Sequence, residues 1–166
     1  GRYTPAKDHA TFVEAVLIAS EKNPKIKGCL VGRDIDLDNF HLTASQKQQF
    51  VVLGQRDDVS DVLSAANIFC LHSITEGFPN VLGEAMSIGV PCITTKAGDA
   101  AIILNDERFI LEVQDKQGLA EKIVFLSRMD DEERSFIGIK NRERVKKFYS
   151  LDKILNEYLL LYREIL

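Results

Sequence analysis

Glu76 and Glu84 stand eight residues apart on either side of a Gly77-Phe78-Pro79 turn, and that spacing sets what the two carboxylates could do together. Inside one helix the same separation would hold them about 12 Å apart. With a turn between them, Glu76 falls in a loop and Glu84 about one turn inside a short helix, so both can approach one ligand lying over the helix start. The first amides of that helix, Asn80, Val81 and Leu82, would be without intrahelical partners, and with the helix dipole behind them they can hold a phosphate. Carboxylates beside such a site accept hydrogen bonds from ribose or sugar hydroxyls in strong, charge-assisted contacts.

The elements that must position these groups are legible as alternating short apolar runs and amphipathic stretches. Residues 26–31, 50–53, 67–71, 90–94 and 109–113 are strand-length and rich in β-branched and aromatic residues, in the manner of buried parallel strands. Helix-length segments cover 7–22, 38–49, 58–66, 80–88 and 116–128. This rhythm predicts an α/β fold, a Rossmann-like doubly wound parallel sheet with the Glu76–Pro79 loop at the carboxyl edge of its strands.

Beyond Asp130 the character changes. Acids from Asp130 to Glu133 open a helix and Lys140, Arg142, Arg144, Lys146 and Lys147 lie toward its end, which suits the helix dipole. Ser150 is the N-cap of a final helix running to Leu166, with Leu151, Ile154, Leu155, Tyr158, Leu159 and Tyr162 on one face. These C-terminal helices are expected to pack on the domain. The basic cluster reads first as a solvated helix face and could also touch an anionic membrane surface.

At 166 residues and 45% apolar the chain suits one globular domain with a sizeable core. A formal net charge of −4 argues against nucleic acid as a partner. No apolar run approaches the roughly 18 residues of a membrane span. Cys29, Cys70 and Cys92 lie in strand-like runs without metal-ligand spacing and read as small core residues; His9, His41 and His72 have no i, i+4 partner that would make them metal ligands. Asp57, Asp58 and Asp61 surround a helix start and read as caps and dipole partners.

The block Glu76-Gly77-Phe78-Pro79-Asn80-Val81-Leu82-Gly83-Glu84-Ala85-Met86 looks like the E-x7-E motif of the glycosyltransferase group 1 (GT4-like) family. It is followed by Gly89-Val90-Pro91 and Gly98-Asp99, and preceded by Gly1-Arg2 with Lys7 five residues on. On these residues the chain resembles the carboxyl-terminal, nucleotide-sugar-binding domain of a retaining GT-B glycosyltransferase, over nearly its whole length. The resemblance departs at Gly32-Arg33-Asp34, where the family often has Gly-x-Gly.

Carried over residue by residue, the resemblance implies that Arg2 and Lys7 contact the donor diphosphate. Glu84 takes the ribose hydroxyls, and Glu76 lies near the hydroxyls of the transferred sugar. The turn from Gly77 through Phe78, Pro79, Asn80 and Val81 to Leu82 supplies backbone donors, and Gln55 and Arg56 frame the base. The nucleoside-diphosphate sugar is a substrate, with no cofactor and no metal expected, because cations of the protein face the diphosphate.

The reading makes residues 1–166 one donor-binding domain, a fragment of a longer two-domain chain whose first strand and acceptor-side domain are missing. Its acceptor, a glycan or lipid-linked molecule, would be bound mainly by that N-terminal domain, and the fragment alone would be inactive. A cytoplasmic location is implied, with peripheral contact at the inner face of a membrane. Two other classes fit some of the residues: a noncatalytic sugar-nucleotide-binding module on the same fold, and a glycosidase using Glu76 and Glu84 as acid and nucleophile. The second leaves Arg2 and Lys7 without a role.

Overall fold

The computed structural model describes residues 1–165. In chain order its helices and strands are α1 (His9–Lys22), β1 (Gly28–Val31), α2 (Ala44–Lys47), β2 (Phe50–Gly54), α3 (Val59–Ser64), β3 (Phe69–Leu71), α4 (Asn80–Ile88), β4 (Cys92–Thr95), α5 (Ala100–Leu104), β5 (Ile110–Leu111), α6 (Lys116–Arg128), α7 (Asp131–Phe148) and α8 (Leu151–Ile165). Every strand pairing is parallel: β1 with β2, β3 with β4, and β4 with β5. The helices between the strands sort into two groups, α1 against α6, and α4 against α3, α5 and α7.

The parallel α/β architecture follows the sequence pattern, with one difference. Instead of one continuous sheet there are two, β1-β2 and β3-β4-β5. Cys29–Val31 of β1 and Phe69–Leu71 of β3, each with one edge unpaired, line the same cleft of about 1320 Å³. The structure also corrects the reading of the cysteines. Cys92 is fully buried in the core and Cys70 is half-buried, but Cys29 is exposed, since it points to the face of β1 opposite to buried Gly28 and Leu30.

The core centres on β4, all four of whose residues are buried, and on Leu82, Ala85 and Met86 of α4. Full burial of side chains such as Ile93 and Leu82 contributes about 1.5–3 kcal/mol each. Gly89 ends α4 at φ 92°, the left-handed conformation that glycine adopts without a Cβ penalty. There α7 crosses so closely that a Cβ on Gly138 would overlap the Gly89 carbonyl. Asn141 Nδ2, buried on α7, donates to the Val90 carbonyl at 3.2 Å and fixes the same crossing.

Several local elements differ from the sequence pattern. The helix expected over 38–49 is two short pieces, a 3-10 turn at Leu37–Phe40 and α2, separated by His41 at φ 52° and restarted by the Thr43/Gln46 capping box. The last strand is only Ile110–Leu111, and α5 lies where no helix was expected. At the C-terminus, Asp130 and Glu133 form a capping box for α7, and the Lys153 amide donates to Ser150 Oγ at 3.4 Å, as the capping pattern requires. Packing on the domain holds for α7, whereas every described side chain of α8 is exposed; Leu166, the expected end of that helix, lies outside the described residues. Among the described residues no helix is long and apolar enough to cross a membrane.

Candidate functional site

The loops that follow the strands bring the residues of interest to one edge. Gly1 donates its amine to the Val31 carbonyl at the end of β1, the Tyr3 amide bonds the Arg33 carbonyl at 2.9 Å, and the Ile74 amide bonds the Ala6 carbonyl at 2.8 Å. The N-terminal segment is therefore laced to the residues just after β1 and just after β3. Since all strands are parallel, Arg2, Lys7, Gln55, Arg56 and Glu76 share the carboxyl edge, as the doubly wound pattern requires.

Lys7 and Glu76 meet there. Lys7 Nζ lies 2.6 Å from Glu76 Oε1, with side-chain exposures of 32% and 12%. The same oxygen accepts a 2.6 Å hydrogen bond from Ser73 Oγ. The Glu76 backbone is braced from the β4–α5 loop: the Asp99 amide donates to the Gly77 carbonyl at 3.0 Å, and Gly98, at φ 53°, is so close that a Cβ would overlap the Glu76 and Gly77 carbonyls. Ser73 and Gly98, which brace Glu76, are positions that spacing did not single out. A serine three residues ahead of the acid, and the Gly98-Asp99 pair, were their only traces.

α4 starts immediately beyond this loop. Its N-cap is Pro79, which has neither a capping side-chain bond nor an N–H to give. The Leu82 amide is already donated to the Pro79 carbonyl at 3.0 Å and its side chain is fully buried, so Leu82 drops out of the expected set of donors. Among the described residues the amides of Gly77, Phe78, Asn80 and Val81 make no such bond, and these remain to meet an anion. Phe78 is half-exposed and packs edge-on against Tyr149, centroids 5.8 Å apart. Glu84 is exposed, and among the described residues its carboxylate makes no hydrogen bond or ion pair.

Arg2, Lys7, Gln55, Arg56, Val81 and Glu84 all line the large cleft, while Glu76 borders it through its bond to Lys7. Arg2 is exposed and unpaired among the described residues. Gln55 and Arg56 are each engaged, Gln55 Oε1 accepting from Arg33 Nε at 2.9 Å and Arg56 paired with Asp58. Asp58 precedes α3 but caps nothing with its side chain, because that carboxylate is taken by Arg56. At Gly32-Arg33-Asp34 the missing second glycine is replaced by Asp34 at φ 62°, a left-handed conformation that aspartate adopts more readily than most residues.

Behind Lys7 lies a pair of histidines. His9 and His72 face each other with ring centroids 5.6 Å apart, and Phe12 stacks on His72 at 5.0 Å. Neither Nδ1 has a hydrogen-bond partner. Burial pushes His72 down to about 3 and His9 down to about 4, so both rings are neutral at pH 7.

The sequence pattern described as "Glycosyl transferases group 1" matches residues 1–129. The N-acetyl-alpha-D-glucosaminyl L-malate synthase of Bacillus anthracis is 32% identical over 77% of the chain and 33% of its own length. The UDP-Gal:alpha-D-GlcNAc-diphosphoundecaprenol alpha-1,3-galactosyltransferase of Escherichia coli is 27% identical over 98% of the chain and 43% of its own. Among solved structures, Anabaena HepE in complex with UDP superposes with a TM-score of 0.83 at 22% identity, over 100% of this chain and 47% of that one. The chain thus spans between about a third and a half of the length of these three proteins, and the structural likeness establishes a GT-B-type fold.

Proposed function

Because the chain belongs to the glycosyl transferases group 1 family, we propose that it is the donor-binding half of a retaining glycosyltransferase, which moves a sugar from a nucleoside-diphosphate sugar to a glycan, lipid or other acceptor. The observation that carries this reading is the contact of Lys7 with Glu76 beside an uncapped helix start. A cation, a carboxylate and free amides converge where a diphosphate and the sugar attached to it would lie.

In this reading Arg2 and Lys7 meet the diphosphate, Arg2 as a fork and Lys7 as a point charge. The amides of Asn80 and Val81 add to them, and Glu84, exposed above α4, accepts from the ribose. Glu76 accepts from a hydroxyl of the sugar. As the sugar–phosphate bond breaks, charge grows on the leaving diphosphate and positive charge on the sugar, so these fixed charges act more strongly on the transition state than on the bound donor. Displacement on the front face, with the leaving diphosphate taking the acceptor's proton, needs no covalent bond to either acid. No divalent metal is required where protein cations neutralise the phosphates.

The acceptor belongs to a second domain of a longer chain, consistent with the lengths of the relatives. The unpaired edges of β1 and β3 on one cleft fit a further parallel strand from that chain. A lipid-linked acceptor, of the kind named for the Escherichia coli relative, would be met at the inner face of a membrane, with Lys140–Lys147 as the basic contact.

A thermal-shift screen of the full-length protein against UDP, GDP, ADP and CMP tests the donor site. A nucleotide at 100 times Kd adds about 2.7 kcal/mol of stability. UDP is expected to give the largest shift, as it is the nucleotide bound in the HepE structure. No shift with any of the four would defeat the reading.

A further inference from the structure

We propose that Ser73 is a positioning residue, which fixes one oxygen of Glu76 so that the other is kept for a hydroxyl of the transferred sugar. The inference rests on the donor-binding reading above and assigns within it a residue that the motif leaves out.

An ionised carboxylate can only accept, so in the 2.6 Å contact it is Ser73 Oγ that donates to Glu76 Oε1. Ser73 is 1% exposed and cannot exchange this bond for one to water. Its own backbone is tied down in turn: Thr95 Oγ1 donates to the Ser73 carbonyl at 2.7 Å, and Thr95 ends the fully buried strand β4. A buried hydrogen bond from the end of β4 and a half-buried one from Ser73 therefore link the central strand to Oε1.

Both donors to Glu76, Ser73 Oγ and Lys7 Nζ, fall on that one oxygen, and Oε2 makes no hydrogen bond among the described residues. The two donors are not equivalent. Lys7 sits on a long flexible stem, a third exposed, and in the proposed function it must also serve the diphosphate. When a donor substrate arrives, Lys7 has a second anion to satisfy, whereas Ser73 has no alternative partner among the described residues. With the Glu76 backbone already braced by Gly98 and Asp99, rotation of the side chain is the freedom left, and the serine hydroxyl removes it. A carboxylate held in one orientation before substrate binds carries no reorganisation cost when charge develops on the sugar.

The test uses the full-length protein, with Ser73→Ala and Ser73→Thr beside the unaltered chain. Each is titrated with UDP, and with UDP-glucose, UDP-galactose and UDP-N-acetylglucosamine, and hydrolysis of the tightest of these sugar nucleotides, its sugar passing to water, is followed by UDP release. The expected result for Ser73→Ala is UDP affinity within twofold of the unaltered protein and loss of the extra affinity given by the sugar. Its kcat should fall about 10- to 100-fold with a smaller change in KM, and Ser73→Thr, which restores a hydroxyl, should recover most of the loss. Unchanged kcat in Ser73→Ala, or equal losses for UDP and the sugar nucleotide in step with a lowered Tm, would make Ser73 a packing residue and leave the donor site intact. Failure of the unaltered protein to bind any of the four probes would remove the donor-binding reading and this proposal with it. Should Ser73→Ala not fold, a crystal structure of the unaltered protein with the tightest sugar nucleotide decides: the proposal requires Ser73 Oγ on Oε1 and a sugar hydroxyl on Oε2, and the reverse arrangement overturns it.

Discussion

Lys7 and Glu76, 69 residues apart in sequence, share a hydrogen bond of 2.6 Å across the carboxyl edge of the sheet. The residue proposed to face the diphosphate and the residue proposed to face the sugar are thus in contact before any ligand arrives.

For Lys7→Ala we expect weaker binding of the bare nucleoside diphosphate by the full-length protein. The loss should be about 1.5–3 kcal/mol, the range for a hydrogen bond to a charged group, or roughly 10- to 100-fold in Kd. Isothermal calorimetry with the best nucleotide from the screen measures it. Unchanged affinity would take Lys7 out of the diphosphate site.

The two acids separate by ligand. Glu84→Ala should weaken the bare nucleotide by a similar 10- to 100-fold, while Glu76→Ala should leave nucleotide affinity nearly intact and lower turnover strongly. Equal losses for both variants in the same calorimetric series would contradict the division of labour between ribose and sugar.

Gly98→Ala should disturb Glu76 without touching its side chain. An alanine at φ 53° is strained by roughly 1–2 kcal/mol, and its methyl would also overlap the Glu76 and Gly77 carbonyls, so the loop must move. A drop in Tm with loss of turnover is expected. Gly83→Ala, in α4 with open space around the added methyl, is the contrast: helix propensity predicts a gain of about 0.5–1 kcal/mol. Parallel thermal melts compare the two.

Nucleotide binding should survive EDTA unchanged if, as proposed, Arg2, Lys7 and helix amides take the role a Mg²⁺ or Mn²⁺ ion would have at the diphosphate. Loss of binding on chelation, restored by Mn²⁺, would show that the cations of the protein are insufficient.

Acid should loosen the fold through His9 and His72. For His9, burial, opposed by Asp8 and aided by Lys7, puts the folded value at about 4; for His72, burial next to His9 puts it at about 3. Both lie below the unfolded value near 6.5, so the unfolded chain binds more protons across that interval. The stability they contribute is intact above pH 6.5 and is lost as pH falls toward 4 and then 3, at up to about 1.4 kcal/mol per pH unit for each ring. Urea melts at pH 7 and pH 5 should show the loss, and His72→Phe should flatten it.

The strands and the turn between the two glutamates were legible because buried parallel strands and Gly-Phe-Pro turns leave strong local signals. The start of α4 at Asn80 coincides with expectation for that reason. What was not legible depends on contacts between distant segments. Nothing near Lys7 announces its bond to Glu76, and nothing near Ser73 or Gly98 announces that they hold the same loop from two sides. Leu82 looked like a free donor by its place in the helix, but the Pro79 carbonyl takes its amide. Over 38–49, the helical composition was overridden by His41 in the left-handed region. The apolar face of α8 was read correctly as a stripe, yet no part of the described chain covers it.

The division of the sheet has a consequence for how the protein breathes. In β3-β4-β5 the central strand is buried along its whole length, whereas β2, on the far side of the cleft, leaves Val51 and Leu53 half in solvent. Local opening follows such differences, and segments with little burial exchange their amides first. In hydrogen exchange the parallel pair β1-β2 should therefore form one labile unit, opening well below the free energy needed to expose β4. The residues that would frame the base, Gln55 and Arg56, ride on that labile unit, and Glu76 with its serine clamp rides on the slow one. A ligand spanning both would join two regions of unequal stability, and protection gained on binding should be concentrated in β1 and β2.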